Sequence, residues 1–168
     1  AGAFLECFDV EKLLDDRAGR GVHVHRPDMR KFLTDRCEDI LLCEQQFGLF
    51  DGIPDEELSK HFPKEYEHYE KCKEHEGEFW ARMPLGESRF DVALRIRLFF
   101  GTIQRDAEKH NIHTVIVVCH GVTLRAFVMS WRHHNPEWFE GERNPTNCAI
   151  RLLSDDEDRG YIFKADLT

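Results

Sequence analysis

The run Val115-Ile116-Val117-Val118-Cys119-His120-Gly121 constrains this chain most. Four β-branched residues and a cysteine in succession predict a short strand buried on both faces, the kind found inside parallel sheets. Gly121 permits a sharp turn, and apolar residues at Val122, Leu124, Phe127, Val128 and Trp131 then follow with helical spacing. A strand, a tight turn and a helix in that order leave the first N–H groups of the helix unpaired at the carboxyl edge of the sheet, where anions bind readily. His120 sits at that junction, and an imidazole there can donate to or accept from a bound phosphate. The same histidine can also serve as a polar strand terminus bonded only to backbone.

Length and composition set the frame. The 168 residues suit one domain spanning 1–168, and 41% hydrophobic content fills a core of ordinary size. A net charge of −9 argues against a general nucleic-acid partner, so any positive site must be local. Six cysteines (Cys7, Cys37, Cys43, Cys72, Cys119, Cys148) show no Cys-x-x-Cys pair and read as reduced, structural thiols of an intracellular protein. No apolar run reaches membrane-spanning length and no charged-then-apolar leader opens the chain, so no membrane partner and a cytoplasmic location are expected. The start at Ala1 rather than methionine points to processing or to a missing upstream segment.

The α/β alternation is clearest in the second half. Ser88 and Asp91 form a capping-box-like start, and Val92, Ile96, Phe99, Phe100, Ile103 and Ala107 make one apolar stripe that predicts a helix to about His110. That helix leads through a short loop into the Val115 strand, which predicts a parallel central sheet with helices on both faces. Upstream, the pattern suggests a short helix at Val10 to Leu14, a brief strand at Gly21 to His25 and a helix from about Met29 to Ile40. Residues 54–80 are dense in Glu, Lys and His with interspersed aromatics, and predict helical pieces broken at Pro63. They read as a lid on the sheet edge or as a solvated helical surface. After a polar stretch from His133 to Asn144, edge strands are expected near Cys148–Leu153 and Tyr161–Lys164 around a charged turn at Asp155 to Asp158.

Four separated pieces then match one family. Glu44-Gln45-Gln46-Phe47-Gly48, the stretch Phe79 to Ser88 ending Gly86-Glu87-Ser88, the His120-Gly121 segment through Arg125, and Asn144-Pro145-Thr146-Asn147-Cys148 stand in order along the chain. In this the chain resembles the histidine phosphatase superfamily, in the branch of phosphoglycerate-mutase-like phosphatases, from about Glu44 to Leu153. The resemblance implies a three-layer α/β fold and hydrolysis of a small phosphorylated substrate through a phosphohistidine, with no metal and no cofactor. In that chemistry a histidine nucleophile takes the phosphoryl group, while arginines and a second histidine neutralise the charge on its oxygens. A carboxylic acid protonates the leaving oxygen and deprotonates the incoming water. By position, His120 is the second histidine, Glu44 the proton donor, and Arg30 with Gly121 part of the phosphate site. Arg30 enters through Arg26-Pro27-Asp28-Met29-Arg30 followed by Thr34, which is similar to the family's arginine segment although Arg26 replaces its serine.

One part is absent. The family's nucleophile lies in an Arg-His-Gly motif, which occurs nowhere in these 168 residues; only His120 of the ten histidines is followed by glycine. A domain lacking its first strand is therefore expected. A non-catalytic phosphate-binding relative and a phosphoglycerate mutase stand as alternatives. Among the other candidates, His133-His134 read as surface histidines rather than metal ligands, and Cys119 as a packed thiol. Arg125 is expected either to help an anion site or to pair with an acidic neighbour, and Glu87 either to orient site groups or to favour the positive end of the helix dipole.

Overall fold

Local signals set most of the helices. Ser88 accepts a hydrogen bond from the Asp91 backbone N–H while the Asp91 carboxylate accepts one from the Ser88 N–H, and this capping box opens helix α3, Arg89–His110. It closes at Asn111, whose φ of 53° is the left-handed turn that ends helices. Upstream, Pro63 opens α2 (Pro63–Glu76), separated at Phe62 from α1 (Asp55–His61), so the break falls where proline requires it. Gly121–Trp131 forms α4. The computed structural model describes residues 38–154 and 156–164. The expected elements at Val10 to Leu14 and Gly21 to His25, most of the helix from Met29 to Ile40, and Arg30 lie outside the described residues; Ile40–Leu42 form a single 3₁₀ turn.

Ile40–Asn144 make one compact unit with two cores. The larger joins α3 to α4: Val92, Ala93 and Ile96 pack on Val122, Ala126 and Met129, with Phe79 and Phe139 closing the end. The second gathers Phe50, Leu58, Tyr69 and Ala81, and ties α1 and α2 to the loops around them. A short helix, α5 (Pro136–Gly141), lies within the polar stretch from His133 to Asn144. Asn135 caps it, its side-chain oxygen accepting from the Trp138 N–H at 3.0 Å, and Phe139 from its middle is fully buried.

The Val115–Cys119 run departs from expectation. It forms no regular element, no described strand pairs with it, and Val115, Ile116 and Val118 are 47%, 71% and 41% exposed rather than buried on both faces. A strand is buried by its neighbours in the sheet, and none stands beside this one among the described residues. The only sheet among them is the antiparallel hairpin of β1 (Ile150–Leu153) and β2 (Asp158–Phe163), which belongs to a second unit. Arg151 reaches both carboxylate oxygens of Asp158 and ties the two strands together.

Candidate functional site

The site begins with the loop that carries Glu44. Two glycines let this loop approach the start of α3: a Cβ on Gly48 would lie 2.1 Å from the Pro84 carbonyl oxygen, and one on Gly86 would lie 2.3 Å from that of Gln46. The close approach is stitched by backbone hydrogen bonds, with Leu49 N–H donating to Pro84 O at 3.0 Å and Glu87 N–H to Gln46 O at 2.8 Å. Glu87 adds a side-chain tie. Its carboxylate accepts from the Gln46 N–H at 3.0 Å and receives the Arg95 guanidinium at 3.1 and 3.3 Å, while Arg95 Nη1 donates to Leu41 O. One ion pair therefore holds the loop on either side of Glu44. The buried Gln45 amide donates to Glu87 O at 2.9 Å and adds a third tie.

On the other side stands the first turn of α4. His120 is its N-cap residue, with extended backbone and a carbonyl that accepts from Leu124 N–H, so its imidazole is not used to cap the helix. Nδ1 of His120 lies 3.8 Å from Oε2 of Glu44, and the two side chains are 36% and 27% exposed. That exposure leaves both groups reachable from solvent. Gln45 N–H donates to Glu44 Oε1 at 2.9 Å and orients the carboxylate. Thr123, fully buried in the first turn of α4, donates its hydroxyl to Cys43 O at 2.7 Å, with Glu44 Oε1 at 3.5 Å. One hydroxyl proton serves one acceptor, so the shorter contact is the bond and Glu44 is its neighbour. Beside them, burial pushes the Cys119 thiol up to about 12, with the Glu44 charge adding to the rise and Arg95 opposing it. The thiol is thus neutral at ordinary pH and packs rather than reacts.

An imidazole and a carboxylate at the start of a helix suit a proton transfer next to a bound oxyanion. Of the residues singled out in the sequence, Glu44, His120 and Gly121 come together here, and Glu87 acts on the Glu44 loop. Arg125 has a structural role that neither expectation named. It is buried, stacked over the Phe139 ring at 4.4 Å, and donates to the carbonyls of Phe139 and Glu142, tying α4 to the end of α5. His134 stacks on Trp138 at 4.4 Å, and among the described residues no three His, Cys, Asp or Glu side chains converge as a metal site would require. Gln45, Arg95 and Thr123 escaped the sequence reading. Arg95 was visible as a charge flanking the apolar stripe of α3, and Thr123 as a hydroxyl one turn from His120; Gln45 carried no signal.

Comparison with known proteins fits this geometry. Residues 35–166 match the model of the histidine phosphatase superfamily, branch 1. The phosphoglycerate mutase-like protein AT74 of Arabidopsis thaliana is 32% identical over 69% of this chain and 36% of its own length. The broad-range acid phosphatase DET1 of Saccharomyces cerevisiae is 32% identical over 54% of this chain and 29% of its own length. The chain spans about a third of the length of these curated relatives. No helix among the described residues is long and apolar enough to cross a membrane. The matched stretch covers both the Glu44 loop and the His120 turn, and the chain belongs to the histidine phosphatase superfamily, on its phosphoglycerate mutase-like side.

Proposed function

We propose that the protein is a phosphomonoester hydrolase acting through a phosphohistidine on a small phosphorylated metabolite, with Glu44 and His120 as its acid and its charge-stabilising histidine and with the nucleophile motif absent from these 168 residues. The observation that carries this is the 3.8 Å approach of His120 Nδ1 to Glu44 Oε2 at the first turn of α4. The His120 imidazole and the N–H groups following it, Gly121 included, stabilise the oxygens of the transferring phosphoryl group. Glu44 hands a proton to the leaving alcohol, then takes one from the water that hydrolyses the phosphohistidine. Arg30, outside the described residues, is assigned to the phosphate clamp. Val115–Cys119 is assigned to a parallel central sheet, and residues 54–80 to a lid over the substrate's non-phosphate end.

The test is phosphate release by the full-length protein from a panel of small phosphomonoesters, beside inorganic phosphate binding, for wild type and His120→Ala. The expected result is hydrolysis in the wild type and a loss of about a hundredfold in kcat/KM in the variant, the scale of removing one transition-state charge stabiliser. The absence of Arg-His-Gly from the 168 residues motivates the second reading, a phosphate-binding relative without catalysis. It predicts no turnover but phosphate binding that His120→Ala abolishes. No turnover together with phosphate binding indifferent to His120→Ala refutes both.

A further inference from the structure

We propose that Cys72 and His68 form a second site, a thiol–imidazole pair that takes a small zwitterionic disulfide by thiol–disulfide exchange. The two residues are one helical turn apart on α2, and Cys72 Sγ lies 3.6 Å from His68 Nε2. The thiol rests on the second core, beside Tyr69 and Phe50, while the imidazole is exposed. In front of them lies an open cleft of about 450 Å³, with Lys64, Glu65, Glu76 and Arg82 on its charged side and the Met83–Leu85 segment as an apolar wall. This volume falls in the range of small-molecule clefts. Its lining carries both signs of charge beside an apolar wall, which suits a ligand with carboxylates and an ammonium group on short apolar stems. Arg82 is anchored by Asp91 at 2.6 Å, so one of the cationic walls is fixed in place. Nothing in the proposal depends on the phosphoryl site.

The exchange balances within the pair and the ligand. His68 takes the Cys72 proton, and the thiolate attacks one sulfur of the disulfide. The ligand's S–S bond breaks as the Cys72–S bond forms, and the departing thiolate takes the proton back from the His68 imidazolium. Cys72 is oxidised by the disulfide, whose other half leaves as a thiol. Cys119, its thiol held protonated by burial, serves as an internal contrast.

The test treats the whole chain with glutathione disulfide and follows adducts by intact mass and peptide mapping. Cys72 is expected to carry the first adduct. His68→Gln, a change at an exposed position, is expected to slow that adduct about fivefold, the effect of one charge neighbour at this distance in water, and to leave the rates at Cys43 and Cys148 unchanged. A first adduct at another cysteine, or a wild-type rate at Cys72 in His68→Gln, overturns the proposal.

Discussion

Gly48→Ala measures how tightly the Glu44 loop is locked against the start of α3, and Gly52→Ala supplies its control. Both glycines have left-handed backbone, with φ of 60° and 72°. An alanine at either position therefore bears the same strain, about 1 kcal/mol, and narrows the unfolded ensemble equally. Their surroundings differ. A Cβ at Gly52 meets nothing within 4 Å, whereas one at Gly48 falls 2.1 Å from Pro84 O, 2.6 Å from Gly86 N and 2.7 Å from Leu85 C. All three are backbone atoms and cannot swing aside. Relief requires the two loops to part, which adds about 2 kcal/mol of overpacking and about 1 kcal/mol for the broken Leu49–Pro84 hydrogen bond. The expected gap between the variants is thus about 3 kcal/mol, read as a difference in unfolding free energy by urea titration with circular dichroism. A gap below about 1 kcal/mol would refute the lock, because the clash would then be absorbed without loss.

Two further outcomes follow from single residues. Leu85 holds a φ of 57° while 87% exposed, so Leu85→Gly relieves strain without losing packing, and a gain of about 0.5 kcal/mol is expected in the same titration. A destabilised variant would show that Leu85 makes contacts its exposure denies. Burial raises the Cys119 thiol from 9.0 to about 12. A raised folded value means that its contribution to stability is complete below pH 9 and is lost as pH climbs towards 12, because the unfolded chain ionises first. Between about pH 8 and 10 the wild type should lose about 1.4 kcal/mol relative to Cys119→Ala. Parallel pH curves for the two proteins would contradict a buried thiol.

What the sequence made legible was mostly local. The Ser88–Asp91 box, the Pro63 break and the helix after Gly121 each lie within a few residues of the bonds that make them, and the structure has all three. The Asn135 cap and Pro136 at the first turn of α5 are equally local signals, set in a polar stretch. Val115–Cys119 shows the limit of pattern. Its composition favours a strand, but forming and burying one depends on neighbours far away in sequence, and here Ile116 is largely exposed. The site divides in the same way. His120 stands out by its place at the turn before a helix, whereas Glu44 is singled out by resemblance alone. The ties that hold Glu44, from Arg95 through Glu87 to Leu41 and Gln46, arise from contacts across the fold that no periodicity reports.

A leaving-group series on Glu44→Gln probes the Glu44–His120 pair at the reacting bond. A p-nitrophenyl ester expels a stable anion and needs little protonation, whereas an alkyl phosphate needs a full proton on its oxygen. If Glu44 supplies that proton, Glu44→Gln should lower kcat/KM on the alkyl ester by a factor on the order of 10³ and on the p-nitrophenyl ester by about tenfold at most. Equal losses on both esters would contradict an acid at Glu44 and leave the carboxylate a structural partner of His120.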